Sequence, residues 1–129
     1  MTYVIYTDGA SKGNPGLAGA GIFLQNKDGE EEISKFLGRK TNNEAEYLAV
    51  LFALEHLRGS SEALHFYSDS QLLVRQLNGQ YKVKAPTILP LFEGIKTLMK
   101  GKDVTFTWIP REKNTRADFL ANKAIERRI

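Results

Sequence analysis

Three segments of the first forty residues have alternating or continuously apolar patterns that predict three β-strands. The first segment, residues 2–8, is rich in β-branched and aromatic side chains. A second apolar segment covers residues 18–24, and a turn sequence at 26–29 leads into a third segment at 31–37. Because short connections join neighbouring antiparallel strands, we expect the chain to begin with an antiparallel meander.

After residue 40 the apolar positions recur with the period of a helix. Thr41 and Glu44 have the spacing of a capping box, and the helix is expected to end near Gly59. The later segments follow in the same way, with strands at 63–67 and 104–108 and helices at 70–77, at 86–99 and from Asn114 onward. The resulting order, βββ-α-β-α-α-β-α, predicts an α/β fold. We expect a mixed five-stranded sheet with its first three strands antiparallel and helices on both faces.

Length and composition narrow the class of protein. A chain of 129 residues without a linker or repeat predicts one domain over residues 1–129. There is no cysteine, which excludes a disulfide framework and a thiolate metal site. The first residues lack the features of a signal peptide, and no apolar run has the length of a membrane span, so we expect a cytoplasmic protein with no membrane partner. The net charge of +3 is compatible with nucleic-acid binding but does not require it.

Four carboxylates lie where one site could form. Asp8 and Asp69 each end a predicted strand, and open sheets bind ligands beyond strand ends. Glu46 lies on the apolar stripe of the first helix, where a carboxylate needs a partner, and Asp118 opens the last helix. Converging acids raise each other's pKa values unless hard divalent cations lie between them. The pattern therefore predicts a metal site suited to phosphodiester cleavage.

Each acid also has an ordinary explanation when it is taken alone. Asp8 could be a turn residue, Asp69 a helix cap, and Glu46 the partner of a lysine. Asp118 would be favoured by the helix dipole. Basic residues flank the four acids, which suits phosphates at the rim of a metal site but also fits a mixed solvated surface: Lys12, Arg39, Lys40, Arg111, Lys113 and Arg116.

The local contexts of the acids form four motifs in series: Thr7-Asp8-Gly9-Ala10-Ser11 with Gly13-Asn14-Pro15-Gly16, Thr41-Asn42-Asn43 with Glu46, Ser68-Asp69-Ser70-Gln71, and Asn114 with Ala117-Asp118. In this order and spacing they closely resemble the type 1 ribonuclease H family, over essentially the whole chain. The resemblance implies a ribonuclease H-like fold. It also implies an endoribonuclease that cuts the RNA strand of RNA–DNA hybrids and leaves 5′-phosphate and 3′-hydroxyl ends.

The same resemblance implies two Mg²⁺ ions per site, for which Mn²⁺ can substitute, held by Asp8, Glu46, Asp69 and Asp118. Asp8 would bridge both ions, and Glu46 would hold the ion at the leaving group. Asp69, with help from Asp118, would hold the ion that activates water. Oxygen-only ligands suit these metals rather than zinc.

Other matching positions imply contacts with the hybrid. Reading the RNA strand requires groups that bind the 2′-hydroxyl, and side-chain amides carry both donors and an acceptor. The matching amides are Asn14, Asn42, Asn43 and Gln71. Arg39 and Thr41 resemble a pocket for a DNA-strand phosphate, which a helix N-terminus also favours. Arg111 would contact the scissile phosphate or the leaving product. The alternative is that Arg111 is an ordinary surface charge.

Two features depart from the family. The loop at residues 109–113 lacks the histidine that many members carry, and the two histidines present, His56 and His65, are interpreted as structural. Residues 80–85 replace the basic handle of longer members and offer only Lys82 and Lys84. The alternative function is therefore a catalytically weak hybrid-binding protein. A nuclease acting on DNA junctions, or a transposase core, is a third hypothesis that the amide positions disfavour.

Overall fold

The computed structural model describes residues 2–128, which form one sheet and the helices that pack against it. The strands are β1 (Thr2–Ser11), β2 (Gly16–Asn26), β3 (Gly29–Lys40), β4 (Ala63–Ser68) and β5 (Val104–Trp108). The helices are α1 (Asn42–His56), α2 (Gln71–Leu77), α3 (Leu89–Met99) and α4 (Thr115–Arg127), with a short 3₁₀ turn at Arg111–Lys113. Within residues 2–128 no helix is long and apolar enough to span a membrane.

The sheet has the predicted mixed character, in the strand order β3-β2-β1-β4-β5. The pairs β1–β2 and β2–β3 are antiparallel, and β4 is parallel to both β1 and β5. Tyr6 of β1 lies opposite Tyr67 of β4. Because parallel strands end at the same edge of a sheet, this register brings Asp8 and Asp69, two residues further along each chain, to one place.

Helices cover both faces, as predicted, and two glycines show where. A Cβ on Gly9 would lie 2.3 Å from the backbone of α1, and a Cβ on Gly21 would lie 2.0 Å from the Ala117 carbonyl oxygen of α4. Gly21 is paired with Asp8, the neighbour of Gly9, so the two glycines face opposite sides of the sheet. Each lets a helix approach the central strands closely.

The main core lies between the sheet and the helices α1, α2 and α3. Its largest fully buried side chains come from all of these layers: Ile5, Ile22, Tyr47, Leu54, Leu64, Phe66, Leu73, Ile88 and Ile95. The predicted apolar stripe of α1 is buried, with Val50 and Ala53 fully covered and Leu57 only 5% exposed. Glu46 lies one turn before Val50 on that stripe, so core packing points it toward the sheet.

Some boundaries differ from the sequence prediction. The strands β2 and β3 are longer than expected because each pairs along most of its length with its neighbour. The third helix begins at Leu89 rather than at Pro86, with residues 86–88 forming a turn. Pro90 lies in the first turn of this helix, where a missing backbone N–H costs nothing.

Candidate active site

Three carboxylates from three different elements meet at the end of the central strands. Asp8 belongs to β1, Glu46 to α1, and Asp69 follows β4 directly. One carboxylate oxygen of each lies within 4.8 Å of the other two. Asp8 is 8% exposed, so the cluster has a buried floor.

Local structure around each acid explains why they converge. Gly9 lets the start of α1 approach β1, which brings Glu46 over the end of the strand. Ser70 caps α2 by accepting a hydrogen bond from the Leu73 backbone N–H at 3.2 Å, so the chain turns sharply after Asp69. The Trp108 indole N–H donates to the Asp69 carbonyl oxygen at 3.2 Å and holds that turn against β5.

Burial and mutual repulsion dominate the electrostatics of the three carboxylates. Burial, together with repulsion from the nearby Asp69 and Glu46 carboxylates, raises the pKa of Asp8 to about 9. Burial, followed by repulsion from Asp69, raises the pKa of Glu46 to about 7, and a hydrogen bond with Ser70 opposes that rise. The pKa of Asp69 is also raised, chiefly by burial, while Asn114 and Arg111 act in the opposite direction.

These residues fit a divalent metal. Among residues 2–128 no lysine or arginine forms an ion pair with any of these three acids. Three converging carboxylates without a protein cation form a hard, oxygen-only donor set, which is what Mg²⁺ and Mn²⁺ prefer. The donor geometry therefore supports the predicted kind of metal site.

Asp118, the fourth predicted acid, lies at the rim of the same cavity rather than within the group of three. It sits in the first turn of α4, and its side chain is 36% exposed. A hydrogen bond with Asp118 contributes to the raised pKa of Asp8, so the two carboxyl groups are neighbours. The guanidinium of Arg111 lies 4.0 Å from the Asp118 carboxylate and is itself largely exposed.

Asn114 is a site residue whose role sequence reasoning missed. The last helix was predicted to start at Asn114, and the Asn114 carbonyl oxygen accepts the Asp118 backbone N–H at 3.1 Å. Its side chain does not cap the helix. It is 1% exposed and donates to the Thr7 carbonyl oxygen at 2.9 Å and to the Asp69 carboxylate at 3.3 Å. Its position four residues before Asp118 was the available clue, because that places it beside the acids.

Two surface hollows lie side by side and meet at Glu46. The acid cavity is lined by Asp8, Lys12, Asp69, Arg111, Asp118 and Asn122, among others. The amide cleft is lined by Asn14, Thr41, Asn42, Asn43, Ser70 and Leu72, among others. Glu46 and Asn42 line both hollows, so the cleft begins where the cavity ends.

The structure places three of the four predicted amides together in the amide cleft. The Asn14 side-chain oxygen accepts the Asn42 backbone N–H at 3.1 Å, which fastens the β1–β2 loop to the start of α1. Thr41 forms the predicted capping box with Glu44. Gln71 lies apart from this cleft, in a depression that it shares with Arg75 and Trp108.

The predicted basic residues are divided between different surfaces. Lys12 and Arg111 line the acid cavity. Arg39 lies on β3 opposite Leu17 of β2. Arg116 does not flank the acids as expected, because it pairs with Glu30 and Glu32 of β3.

The two histidines lie outside both hollows, as predicted. His56, at the end of α1, lies 2.9 Å from the Glu31 carboxylate. The His65 ring nitrogen Nδ1 contacts the Thr105 hydroxyl on the neighbouring strand β5. Both side chains thus connect elements of the fold.

Comparison with known proteins adds an independent finding. The family described as RNase H matches residues 1–126. The chain is 39% identical over 125 residues to Ribonuclease HI of Halobacterium salinarum, covering 94% of this chain and 63% of that protein. It is also 39% identical over 132 residues to Bifunctional protein Rv2228c of Mycobacterium tuberculosis, covering 98% of this chain but only 36% of that protein. The chain therefore spans well under two thirds of the Mycobacterium relative.

Solved structures show the same similarity in three dimensions. LC11-RNase H1, solved in complex with an RNA/DNA hybrid, superposes with a TM-score of 0.92 at 40% sequence identity, and the match covers 98% of each chain. RNase H1 from Halobacterium salinarum superposes with a TM-score of 0.92 at 37% identity, covering 98% of this chain and 99% of that one.

Proposed function

This chain belongs to the type 1 ribonuclease H family, and on that premise we propose that it is an endoribonuclease that cleaves the RNA strand of RNA–DNA hybrids. The observation that carries the proposal is the three-carboxylate cluster of Asp8, Glu46 and Asp69 at the head of the amide cleft. The cluster supplies a place for hydrolysis, and the cleft supplies groups that bind a 2′-hydroxyl. The complex of the similar LC11-RNase H1 with a hybrid supports the substrate class.

The proposed cofactors are two Mg²⁺ ions, with Mn²⁺ as a substitute. Asp8, Glu46 and Asp69 would hold them, with Asp118 as a further ligand at the rim. Ions of this kind activate a water and stabilise the leaving oxygen of an in-line displacement when they are bound. Departure of the 3′ oxygen would leave 5′-phosphate and 3′-hydroxyl ends.

The protein's own groups would orient the reaction. Asn114 holds the Asp69 carboxylate through its amide and ties it to β1, which limits the rotation of that ligand. Arg111, beside Asp118, carries an exposed guanidinium into the cavity and would contact the scissile phosphate or the leaving product. It would supply positive charge in the segment between β5 and α4.

Strand selection would depend on the amide cleft. Asn14, Asn42 and Asn43 would read 2′-hydroxyl groups through the minor groove, since amides can both donate and accept. Arg39 and Thr41 would hold a phosphate of the DNA strand, with Thr41 at the N-terminus of α1. Gln71 would contact the hybrid outside this cleft, from the depression that it shares with Trp108.

A cleavage assay tests the proposal against the alternative of a weak hybrid-binding protein. Wild-type protein with Mg²⁺ should cut the RNA strand of a labelled hybrid and leave duplex DNA intact. Asp8→Asn and Asp69→Asn should each lose nearly all cleavage, while binding to the hybrid in Ca²⁺ stays within about twofold because the cleft is unchanged.

The outcomes separate the two functions. Hybrid binding without cutting by the wild type, in Mg²⁺ and in Mn²⁺, would support the binding protein. Cleavage at the wild-type rate by either variant would contradict the assignment of the acids. Equal cleavage of duplex DNA would contradict the proposed role of the amides in strand selection.

A further inference from the structure

Asn122 forms a bridge between α4 and the β1–β2 loop, beside the acids. It lies one turn after Asp118 on α4, and its amide nitrogen donates to the Asp118 carbonyl oxygen at 2.9 Å. The same nitrogen lies 3.3 Å from the Asp118 carboxylate. Because both partners are acceptors, the NH₂ group must face Asp118, and the amide oxygen is directed away from it.

That oxygen holds a lysine from the other end of the sequence. The Lys12 ammonium donates to the Asn122 oxygen at 3.2 Å, across 110 positions of sequence. The backbone of Lys12 is fixed as well, since its N–H donates to the Leu17 carbonyl oxygen at 2.9 Å. Lys12 is exposed, lines the acid cavity and has no carboxylate partner among residues 2–128.

The Lys12 ammonium can bind an anion without releasing Asn122. It carries three donors, and the hydrogen bond to Asn122 uses one of them. A freely rotating lysine loses considerable side-chain entropy on binding, and a side chain already held at one point loses less. Lys12 therefore presents a positioned positive charge at the mouth of the cavity.

The arrangement of the two hollows indicates which anion reaches it. Lys12, Arg111 and Asn122 line the acid cavity and not the amide cleft. In the proposed function the cut strand lies over the acids, and the amides read the minor groove between the two strands. The bridge is then on the side of the acids away from the minor groove, where it meets the backbone of the cut strand.

We propose that Lys12, positioned by Asn122, binds a phosphate of the cut strand next to the phosphate that is hydrolysed. This inference rests on the proposed function and adds a substrate-binding residue to it. Asn122 is a positioning residue, because it acts through Lys12 and contacts Asp118 rather than the substrate. The bridge would align the cut strand with the acids by gripping it beside the reacting bond.

The test measures hybrid binding in Ca²⁺ as a function of KCl concentration. Lys12→Met keeps the length of the side chain and removes its charge, so the Kd should rise about two- to tenfold and the slope of log Kd against log salt should fall by about one phosphate contact, roughly 0.7–0.9. Lys12→Arg should recover most of the affinity. Lys27→Met is the matched control, because Lys27 is an exposed lysine at the β2–β3 turn, outside both hollows, and its slope should equal that of the wild type.

Asn122→Ala tests the positioning role. It should weaken binding with a near-normal salt slope, because the charge is still present. In the Lys12→Met background it should cost less than about twofold more, since both changes remove one interaction. Melting temperatures close to that of the wild type would show that the losses do not come from unfolding.

Particular results would overturn the inference. A Lys12→Met slope equal to that of Lys27→Met would remove Lys12 from the substrate contacts, and full additivity of the two changes would remove Asn122 from the role. Either result leaves the proposed function intact if wild-type protein cuts the hybrid. Failure of the wild type to bind any hybrid would contradict both.

Discussion

At the scale of single residues, the packing of Asp8, Glu46 and Asp69 within 4.8 Å opposes folding when the carboxylates are ionised. The pKa of Asp8 is raised to about 9 and that of Glu46 to about 7, above the values of an unfolded chain. A group with a raised folded pKa contributes stability below its unfolded pKa, and that stability is lost as pH rises through the folded pKa. Metal-free protein should therefore lose stability from about pH 4 to pH 9.

The first prediction follows from this loss of stability with rising pH. In EDTA, Asp8→Asn should be more stable than the wild type at pH 8, and the difference should shrink toward pH 5. Each pKa unit imposed by the cluster corresponds to about 1.4 kcal/mol, so a gain of at least that size is expected. Thermal unfolding at several pH values measures it.

Asp28→Asn, at the exposed β2–β3 turn, is the control for removing one negative charge. Saturating Mg²⁺ should reverse the order by stabilising the wild type, since only an intact site gains from binding. A wild type that gains stability in EDTA as pH rises from 5 to 8 would contradict the account of the cluster.

The second prediction concerns Asn114, which is fully buried and donates to Thr7 and Asp69. Asn114→Ala leaves the Thr7 carbonyl and one carboxylate oxygen without a donor and should cost about 1–3 kcal/mol of unfolding free energy. Asn114→Asp should lower stability further at pH 8, because it adds a carboxylate beside Asp69. Urea denaturation measures both, and a change below about 0.5 kcal/mol in each variant would mean that the hydrogen bonds contribute nothing.

At the scale of elements, the contact between β2 and α4 places the rim of the site. The carbonyl and amide groups of α4 lie against Gly21, and Gly19 makes a similarly close approach to the Ala121 carbonyl oxygen. Glycine is required there because a Cβ would overlap backbone that cannot move without shifting the helix. The position of Asp118, and with it that of Asn122, follows from this contact.

The third prediction tests that dependence. Gly21→Ala should destabilise the protein by at least about 1–3 kcal/mol, and it should weaken metal binding by displacing Asp118. Gly59→Ala is the matched control, because a Cβ at Gly59 meets no atom within 4 Å, and it should change stability by less than about 0.5 kcal/mol. Equal melting temperatures for the two variants would contradict the close packing of α4.

At the scale of the whole molecule, the net charge is small, and the cations are spread over different surfaces. The net charge is +3, and Arg116 is occupied by Glu30 and Glu32 away from the acids. The segment between α2 and α3 offers only two cations, Lys82 and Lys84. Among the described residues, Lys12 and Arg111 are the two cations that line the acid cavity.

The fourth prediction is a shallow salt dependence. If the phosphate contacts are made by Lys12, Arg39, Lys82, Lys84 and Arg111, log Kd for a hybrid should change with log salt by no more than about 4.5. Titrations between low and moderate KCl in Ca²⁺ measure the slope. A slope steeper than about 7 would show that a basic surface outside these five residues contributes.

The sequence by itself determined the order of the elements, because apolar period, caps and turn residues are local properties. The capping box of Thr41 and Glu44, the hairpin turn before β3 and the buried stripe that carries Glu46 were all predicted from neighbouring residues. The motifs also indicated the family, which the comparisons show, and singled out the four acids as candidate site residues. These features depend on spacings of a few residues, so they can be recognised without coordinates.

Only the tertiary structure decided which distant residues meet. Three contacts join residues far apart in the chain: Asn114 with Thr7, Arg116 with Glu32, and Lys12 with Asn122. The separation of Gln71 from the other amides depends on the direction in which its side chain points. Local patterns carry no information on such contacts, because strand register and helix docking set the distances. The chain order supplied the functional groups, and the packing of α4 and α1 on the two faces of the sheet determined which of them share a site.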